Sequence, residues 1–559
     1  MAVTPENVIS LAASPLQYLS WVQLALSAVG ALVAYQAASL VFTYWRHTRS
    51  PLRKIPGPAL PHNWLTGSQH VFFDGEGMQH LDNWGKTYGG NFTLRSTLGS
   101  YQLVTTDERA LTHVIFATGV FHKRTTERRG LLRLLGQGIL YTEGEQHRDH
   151  RRILNPAFGY SHVRDMNDQF IEIAIKMREI WHNKCIAAGG TVQLDALSWL
   201  SKATLDSIGI AGFGYDFGAL NENGVKNELY AAFERLLRVD NKPTAELRAL
   251  LENLFPILRR LAPSARARET DLSKKLMDDI GMGIVQEKKK AVLANMAGSR
   301  VEKKAMGGKD ILSLLIQANL AEDLPATQRL TDEEVMAEIP SFILAGHETT
   351  ANSTTWALYS MSLSPDVQEK LRQEILQVGT ETPSLDTLNS LPYLDNVVRE
   401  TLRLHSVATF VGREAVQDDI VPFGRPVLDR DGNEHTQLKL QKGDQIIVPI
   451  SLVNRSTAIW GPDADKFRPE RWDSVPQGAA SIPGIAPSLL SFIGGPRACI
   501  GHRFAVAEMK ALLFHIVRGF KFSLAIDKSE LWSRTGTLLR PQLRKDNSVQ
   551  LPLLVTPIA

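Results

Sequence analysis

Apolar positions along this chain follow three different rhythms. The first is nearly unbroken. Glu6 is the only charged residue before Arg46, and Leu16 to Trp45 is uncharged and apolar enough to span a bilayer. About 20 such residues cross a bilayer as a helix. Trp21, Tyr44 and Trp45 sit near the ends of the run, and Arg46, Arg49, Arg53 and Lys54 come directly after it. That order predicts a single-pass helix with its C-terminal side in the cytoplasm. A cleaved signal peptide would need a basic start and a shorter apolar core. Lys54-Ile-Pro-Gly-Pro58 then reads as a stiff, non-helical connector, because proline fixes φ and removes a donor. The second rhythm alternates. Asn91 to Thr106 reads as two strands turning at Gly99-Ser100, and Leu440 to Ile450 as a hairpin turning at Lys442-Gly443-Asp444.

The third rhythm is helical and fills most of what remains. Asp310 to Leu363 holds a long central helix, opened by the capping box Thr331-x-x-Glu334 and ended by Ser364-Pro365. Its length of roughly 50 Å crosses a domain, and Pro340 is expected to kink it. Leu391 to His405 is amphipathic, with Leu394, Val397, Val398, Thr401 and Leu402 on its apolar side. Glu145 to Phe158 is a short, very basic helix ending before Pro156. The fold class expected is mainly α with small β-sheets (α+β). It divides into residues 1–50 as an anchor, 51–62 as a proline-rich hinge and 63–559 as one large domain.

Composition narrows the picture. The 62 basic and 59 acidic residues leave a net charge of +3, which directs the chain to no nucleic acid. Two cysteines exclude a disulfide framework and a Cys-rich zinc site. Cys185 lies in a helix-like segment and reads as a reduced structural thiol, in keeping with a cytosolic setting. In that orientation the glycosylation triplets at Asn91, Asn352 and Asn454 carry no meaning.

The chemistry gathers at Ser491 to Lys510. Cys499 stands after Gly494, Gly495, Pro496 and Arg497 and before Gly501, where a glycine-rich turn feeds a helix. Backbone N–H groups, the helix dipole and Arg497 all favour a thiolate there. The central helix carries polar groups at Phe342-Ile-Leu-Ala-Gly-His-Glu-Thr-Thr350, with Ala345 and Thr349 on one face. Buried polar groups cost stability unless satisfied. An ordinary hydroxyl bonding back one turn is the bland reading of Thr349. Glu400 and Arg403 are three apart, which alone is a surface ion pair of little value. His147 and Arg151 share one face of the basic helix, and Arg148 and Arg152 the next.

The run Phe492-x-x-Gly495-x-Arg497-x-Cys499-x-Gly501 resembles the heme-binding loop of the cytochrome P450 family, in its microsomal eukaryotic form and most like fungal members. The resemblance covers about Ile55 to the C-terminus. It implies heme b with Cys499 as the axial thiolate, and His147, Arg151, Arg413, Phe492, Arg497 and Gly501 around the cofactor. His147 stands where relatives more often carry Trp. It implies that Glu348 and Thr349 form the acid–alcohol pair above the heme, and that Glu400, Arg403 and Arg471 form a buried structural triad. Phe342, Ala345, Val407, Phe410 and Val411, with Trp532 to Thr537, are expected to line an apolar substrate pocket. Ser406-Val407 replaces prolines common in relatives, so the backbone path there stays open.

The function implied is a membrane-anchored monooxygenase in the endoplasmic reticulum membrane, with its catalytic domain in the cytosol. It takes O2 and a lipophilic substrate, with electrons from a separate NADPH-dependent reductase, and Arg148 and Arg152 are expected to dock that partner. Two alternatives stand beside it: a heme–thiolate dehydratase or isomerase needing no reductase, and a heme-binding sensor without turnover.

Overall fold

The computed structural model describes residues 15–59, 67–68, 77–96, 99–221, 228–237, 261–296, 310–320, 329–534 and 538–558, with residues 248, 252, 259 and 325 standing alone between them. The helices that position the site are α1 (Pro15–Arg49), α2 (Gly144–Leu154), α3 (Asn167–Ala187), α4 (Ala196–Ser207), α5 (Asp332–Ser362), α6 (Pro392–Leu404) and α7 (His502–Gly519). Helix α5 is the long central helix. Thr331 caps it as the sequence predicts: its hydroxyl accepts from the Glu334 N–H at 3.1 Å, and Glu334 returns the bond to the Thr331 N–H at 2.9 Å. Such a cap is worth about 1 kcal/mol. The helix runs through Pro340. It passes through the core with α4 alongside it and α7 packed on both α3 and α5. Four of its buried hydroxyls bond back one turn. Ser341 donates to Ala337, Ser353 to Thr349, Thr354 to Thr350 and Thr355 to Ala351.

Among the described residues, twelve strands form four small sheets: β1 (Asn91–Arg95), β2 (Tyr101–Thr105), β3 (Phe121–His122), β4 (Val192–Asp195), β5 (Val411–Ala415), β6 (Asp419–Leu428), β7 (Glu434–Leu440), β8 (Gln445–Val448), β9 (Phe520–Leu524), β10 (Leu531–Arg534), β11 (Arg540–Leu543) and β12 (Pro552–Pro557). The largest sheet has the order β1-β2-β8-β5-β3, with β2 and β8 parallel. A second has the order β4-β12-β9, and β6–β7 and β10–β11 are pairs. The turn expected at Gly99-Ser100 joins β1 to β2, with Gly99 at φ +72°. The hairpin expected over Leu440 to Ile450 is corrected. The chain turns at Gly443, φ +90°, but β7 pairs back to β6 while β8 enters the large sheet between β2 and β5. The carbonyl of Ala415 accepts from the Gly443 N–H at 2.6 Å and holds the turn at that junction.

The start of the chain is seated on the large sheet. Pro51–Lys54 makes a 3-10 turn, residues 55–59 then run without helix as expected of the connector, and Leu52 and Ile55 are buried. The Ser50 hydroxyl donates to Asp444 at 3.1 Å, and Thr93 donates from its N–H to the Pro56 carbonyl at 2.8 Å. A side chain at Gly57 would place its Cβ 1.9 Å from the Thr93 carbonyl oxygen. The expected span lies in α1, whose Leu24, Leu26, Tyr35, Val41 and Phe42 are exposed. Among the described residues, no helix is long and apolar enough to cross a membrane.

Cys185 is buried in α3, unpaired, with its thiol 3.5 Å from the Val555 carbonyl, as a reduced structural cysteine should be.

Candidate functional site

The Cys499 loop is shaped by its backbone. The Cys499 N–H donates to the Phe492 carbonyl at 2.9 Å, and Ala498 to Gly495 at 3.0 Å. The glycines serve different ends. Gly495 sits at φ +66°, a conformation other residues avoid. Gly494 has an ordinary φ, but a Cβ there would lie 1.8 Å from the Pro483 carbonyl oxygen. Gly501 caps α7 and needs neither allowance; a Cβ there would meet Phe158 at 3.8 Å. Burial pushes the Cys499 thiol up, and the Gly501 N–H and the Arg151 charge pull it back only in part. The depressed thiol expected from the sequence is therefore corrected: desolvation outweighs the turn and the dipole. Cys499 keeps exposed surface all the same.

A cluster of cations stands beside this loop. His147, Arg413, Arg497, Lys123 and Arg128 lie close enough to lower one another's proton affinity, and Glu143 is set among them. Arg497 donates to the Thr142 carbonyl at 2.8 Å and is ion-paired with Glu143. Burial, then Lys123, Arg151 and His150, lower His147 to about 3, so it is neutral near pH 7 and keeps one N–H to donate. Arg413 is 7% exposed, and among the described residues its guanidinium donates only to the Gly412 carbonyl, 2.9 Å away. Arg151 is engaged differently from His147. Its Nε donates to Asn155 and its Nη1 to the Ala498 carbonyl at 2.6 Å, so it clamps the loop itself. Arg148 and Arg152 are exposed on the next face, each paired with an acid of its own helix, Glu145 and Asp149. They rim a groove of about 640 Å³ that reaches Gly495, Pro496 and Ala498. Lys123 and Glu143 carry no motif and were not legible in the sequence.

On α5 the Thr349 hydroxyl donates to the Ala345 carbonyl at 2.5 Å. Ala345 is exposed midway along α5, between the half-buried Leu344 and Gly346. Burial would raise the Glu348 carboxyl. His347, whose Nε2 lies 3.5 Å away, and Arg540, at 2.6 Å, instead hold it down to about 2. Further back, Glu338 is fully buried and joins α5 to α2: its carboxylate meets His150 Nδ1 at 2.8 Å and accepts from the Ile139 N–H at 2.9 Å.

The structure brings Glu400, Arg403 and Arg471 together, all of them buried. Arg403 holds Glu400 bidentately at 2.8 and 2.9 Å, and Arg471 reaches it at 3.4 Å. The Trp472 indole and the Arg468 N–H fill its remaining lone pairs. Arg403 also donates to the carbonyls of Asn454 and Ala464. Asn454 passes the order on, accepting from the Leu490 N–H at 3.0 Å and donating to Ser491 at 2.8 Å. That asparagine, read from the sequence as a meaningless triplet, joins the triad to the start of the Cys499 loop.

The expected pocket residues separate. Phe342 packs edge-on to Phe158, 5.4 Å between ring centres, and stacks at 6.5 Å on Phe213. Val407 meets Trp356 and Leu539. Phe410 packs on the cluster of Leu81, Phe92 and Ile447, and Val411, on β5, packs against the main core. Trp532 is half-buried on β10, and residues 535–537 lie outside the described residues.

The cytochrome P450 family model matches residues 56–546. The chain belongs to the cytochrome P450 family. It is 42% identical over 540 residues to cytochrome P450 monooxygenase 205 of Postia placenta, covering 95% of this chain and 99% of that protein. It is likewise 42% identical to monooxygenase 128 of the same fungus, over 90% of this chain and 93% of that one. A ganoderic acid synthetase of Ganoderma lucidum is 32% identical over 92% of this chain and 96% of its own. The protein is thus a P450 monooxygenase that carries heme iron on a cysteine thiolate and takes O2, a lipophilic substrate and electrons from a redox partner. The residues present fit that cofactor. Arg413, buried and without a carboxylate ion pair among the described residues, and a neutral His147 suit the anionic edge of a heme. Cys499 supplies the soft sulfur donor beside them, and coordination itself removes the proton of a ligating thiol.

Proposed function

We propose that this P450 hydroxylates or otherwise oxidises a lipophilic small molecule of secondary metabolism, such as a terpenoid or polyketide, using electrons from NADPH through a separate membrane-bound reductase. Cys499 would hold its heme iron, and His147, Arg413 and Arg497 would attend the heme's carboxylates. Phe492 and Gly501 shape the loop around the sulfur, and Arg151 holds the loop in place. Lys123, absent from the motifs, joins the cations that face the heme's anionic edge. The ganoderic acid synthetase among its relatives supports the substrate class. The observation that carries the reading is the Glu348–Thr349 pair, an acid beside an alcohol at the one stretch of α5 where Ala345 stays exposed. Bound heme supplies the activation of dioxygen. The Thr349 hydroxyl, turned from the Ala345 carbonyl, would serve as the proton donor on that face of α5, and Glu348 would resupply the proton.

Thr349→Ala removes one hydroxyl and a bond worth about 1 kcal/mol. Folding and heme content should persist, while more of the electrons drawn from NADPH should leave as hydrogen peroxide. Peroxide and product are assayed per NADPH consumed, with a substrate found by its shift of the Soret band. Wild-type coupling in the variant would reduce Thr349 to a core hydroxyl.

On the same reading residues 1–50 anchor the chain in the endoplasmic reticulum membrane, 51–62 join the anchor to the body, and 63–559 carry the reaction in the cytosol. The exposed apolar side chains of α1 and the basic residues at its C-terminal end support this. Protease added to intact microsomes should digest the catalytic part, and its protection would refute the orientation.

A further inference from the structure

Glu348 is held from outside its own helix. Arg540 begins β11 and donates from Nη2 to the Glu348 carboxylate at 2.6 Å across 192 residues of sequence, while its Nε is buried without a partner. The stretch that carries it is anchored on two sides. The Leu539 carbonyl accepts from the Trp356 indole at 3.1 Å, two turns along α5 from Glu348. The Leu539 N–H donates to the Val407 carbonyl at 2.8 Å. Val407, Trp356 and Leu539 form one small apolar cluster. Arg540 therefore spans from an expected substrate-pocket wall to the proposed proton donor. Among the described residues, the charged or titratable groups facing Glu348 are Arg540 and, from its own helix, His347. His347 is fixed by Nδ1, 2.8 Å from the Ile343 carbonyl, and Thr204 on α4 donates to its backbone carbonyl. Its position is set by α4 and α5, whereas that of Arg540 is set by the pocket wall.

We propose that Arg540 is a positioning residue that holds Glu348 as a carboxylate turned toward β11, so that Glu348 takes up a proton from solvent and passes it to Thr349 only when the Leu539–Arg540 stretch yields. This rests on the reading of Glu348 as the proton donor. A carboxylate whose proton affinity is depressed adds stability that is present above the ordinary carboxylate range and fades as pH falls toward the folded value. Removing Arg540 leaves burial, which acts in the opposite direction.

The experiment compares heme-loaded wild type, Arg540→Gln, Arg540→Lys, Glu348→Gln and the Arg540→Gln/Glu348→Gln double variant. Thermal midpoints are measured from about pH 8 down to about pH 4, where carboxylates begin to protonate. The gap between wild type and Arg540→Gln should be widest at the high end and narrow as pH falls. It should become independent of pH in the Glu348→Gln background, and Arg540→Lys should close most of it. A merely structural arginine would give the same gap at every pH and in both backgrounds, and that result overturns the proposal. In parallel, peroxide released per NADPH is measured with the reductase and no added substrate, and Arg540→Gln should change it several-fold with a displaced pH profile. If Glu348→Gln leaves peroxide release at the wild-type level, the reading of Glu348 as donor fails on its own. If Glu348→Gln changes it and Arg540→Gln does not, the assignment of Arg540 fails alone.

Discussion

Exchanging Cys499 for serine should abolish the long-wavelength Soret band of the reduced carbon monoxide complex. The band requires a thiolate opposite the gas, and serine offers an alcohol far harder to deprotonate and a harder donor for iron. The loop does not need the sulfur to keep its shape. Its closing bond is the Cys499 N–H to the Phe492 carbonyl, and its clamp is Arg151 on the Ala498 carbonyl. Circular dichroism should therefore match wild type while the carbon monoxide difference spectrum loses the band and turnover falls to background. A variant that keeps the band would remove Cys499 from the iron.

Replacing Glu400 by alanine should have the largest effect on the protein itself. The carboxylate is fully buried and receives five hydrogen bonds, from Arg403, Arg471, Trp472 and the Arg468 N–H. Without it the Arg403 guanidinium stays in the core with no carboxylate, and Arg471 keeps only Asp463, 2.8 Å away. Breaking a buried ion pair from one side costs about 3–5 kcal/mol, against a total stability of about 5–15 kcal/mol for a folded domain. Because Arg403 also holds the Asn454 carbonyl, and Asn454 holds Leu490 and Ser491, the loss should spread to the Cys499 loop. The expected product is a heme-poor protein with a thermal midpoint many degrees lower. Heme per chain and the midpoint, measured together, check it. A variant with wild-type heme content would show that the triad does not support the loop.

What could be read in the sequence was local. The capping box at Thr331, the stop at Ser364-Pro365 and the turn at Gly99 each depend on a few neighbouring residues, and each stands where expected. The triad was legible because its members sit in recognisable runs. What could not be read depended on distant partners. Nothing within Leu440 to Ile450 says that β7 pairs backward and β8 pairs with a strand roughly 340 residues earlier. Lys123 and Glu143 became site residues only when the fold placed them beside Arg497. The thiol of Cys499 was judged by its neighbours in sequence, whereas burial, a property of the whole fold, decides its direction. Arg151 was assigned to the cofactor by its spacing from His147, yet two of its donors are committed to Asn155 and Ala498.

The sheet β4-β12-β9 bears on how the chain is made. Its middle strand, Pro552–Pro557, is made after both of its neighbours, and β4 and β9 meet only through it. Roughly 360 residues separate β4 from β12, so β4 waits without its partner while they are made. Domains usually fold as units while the chain emerges, but this sheet can close only once β12 is available. Until then β4 and β9 present open edges, which invite pairing with other chains.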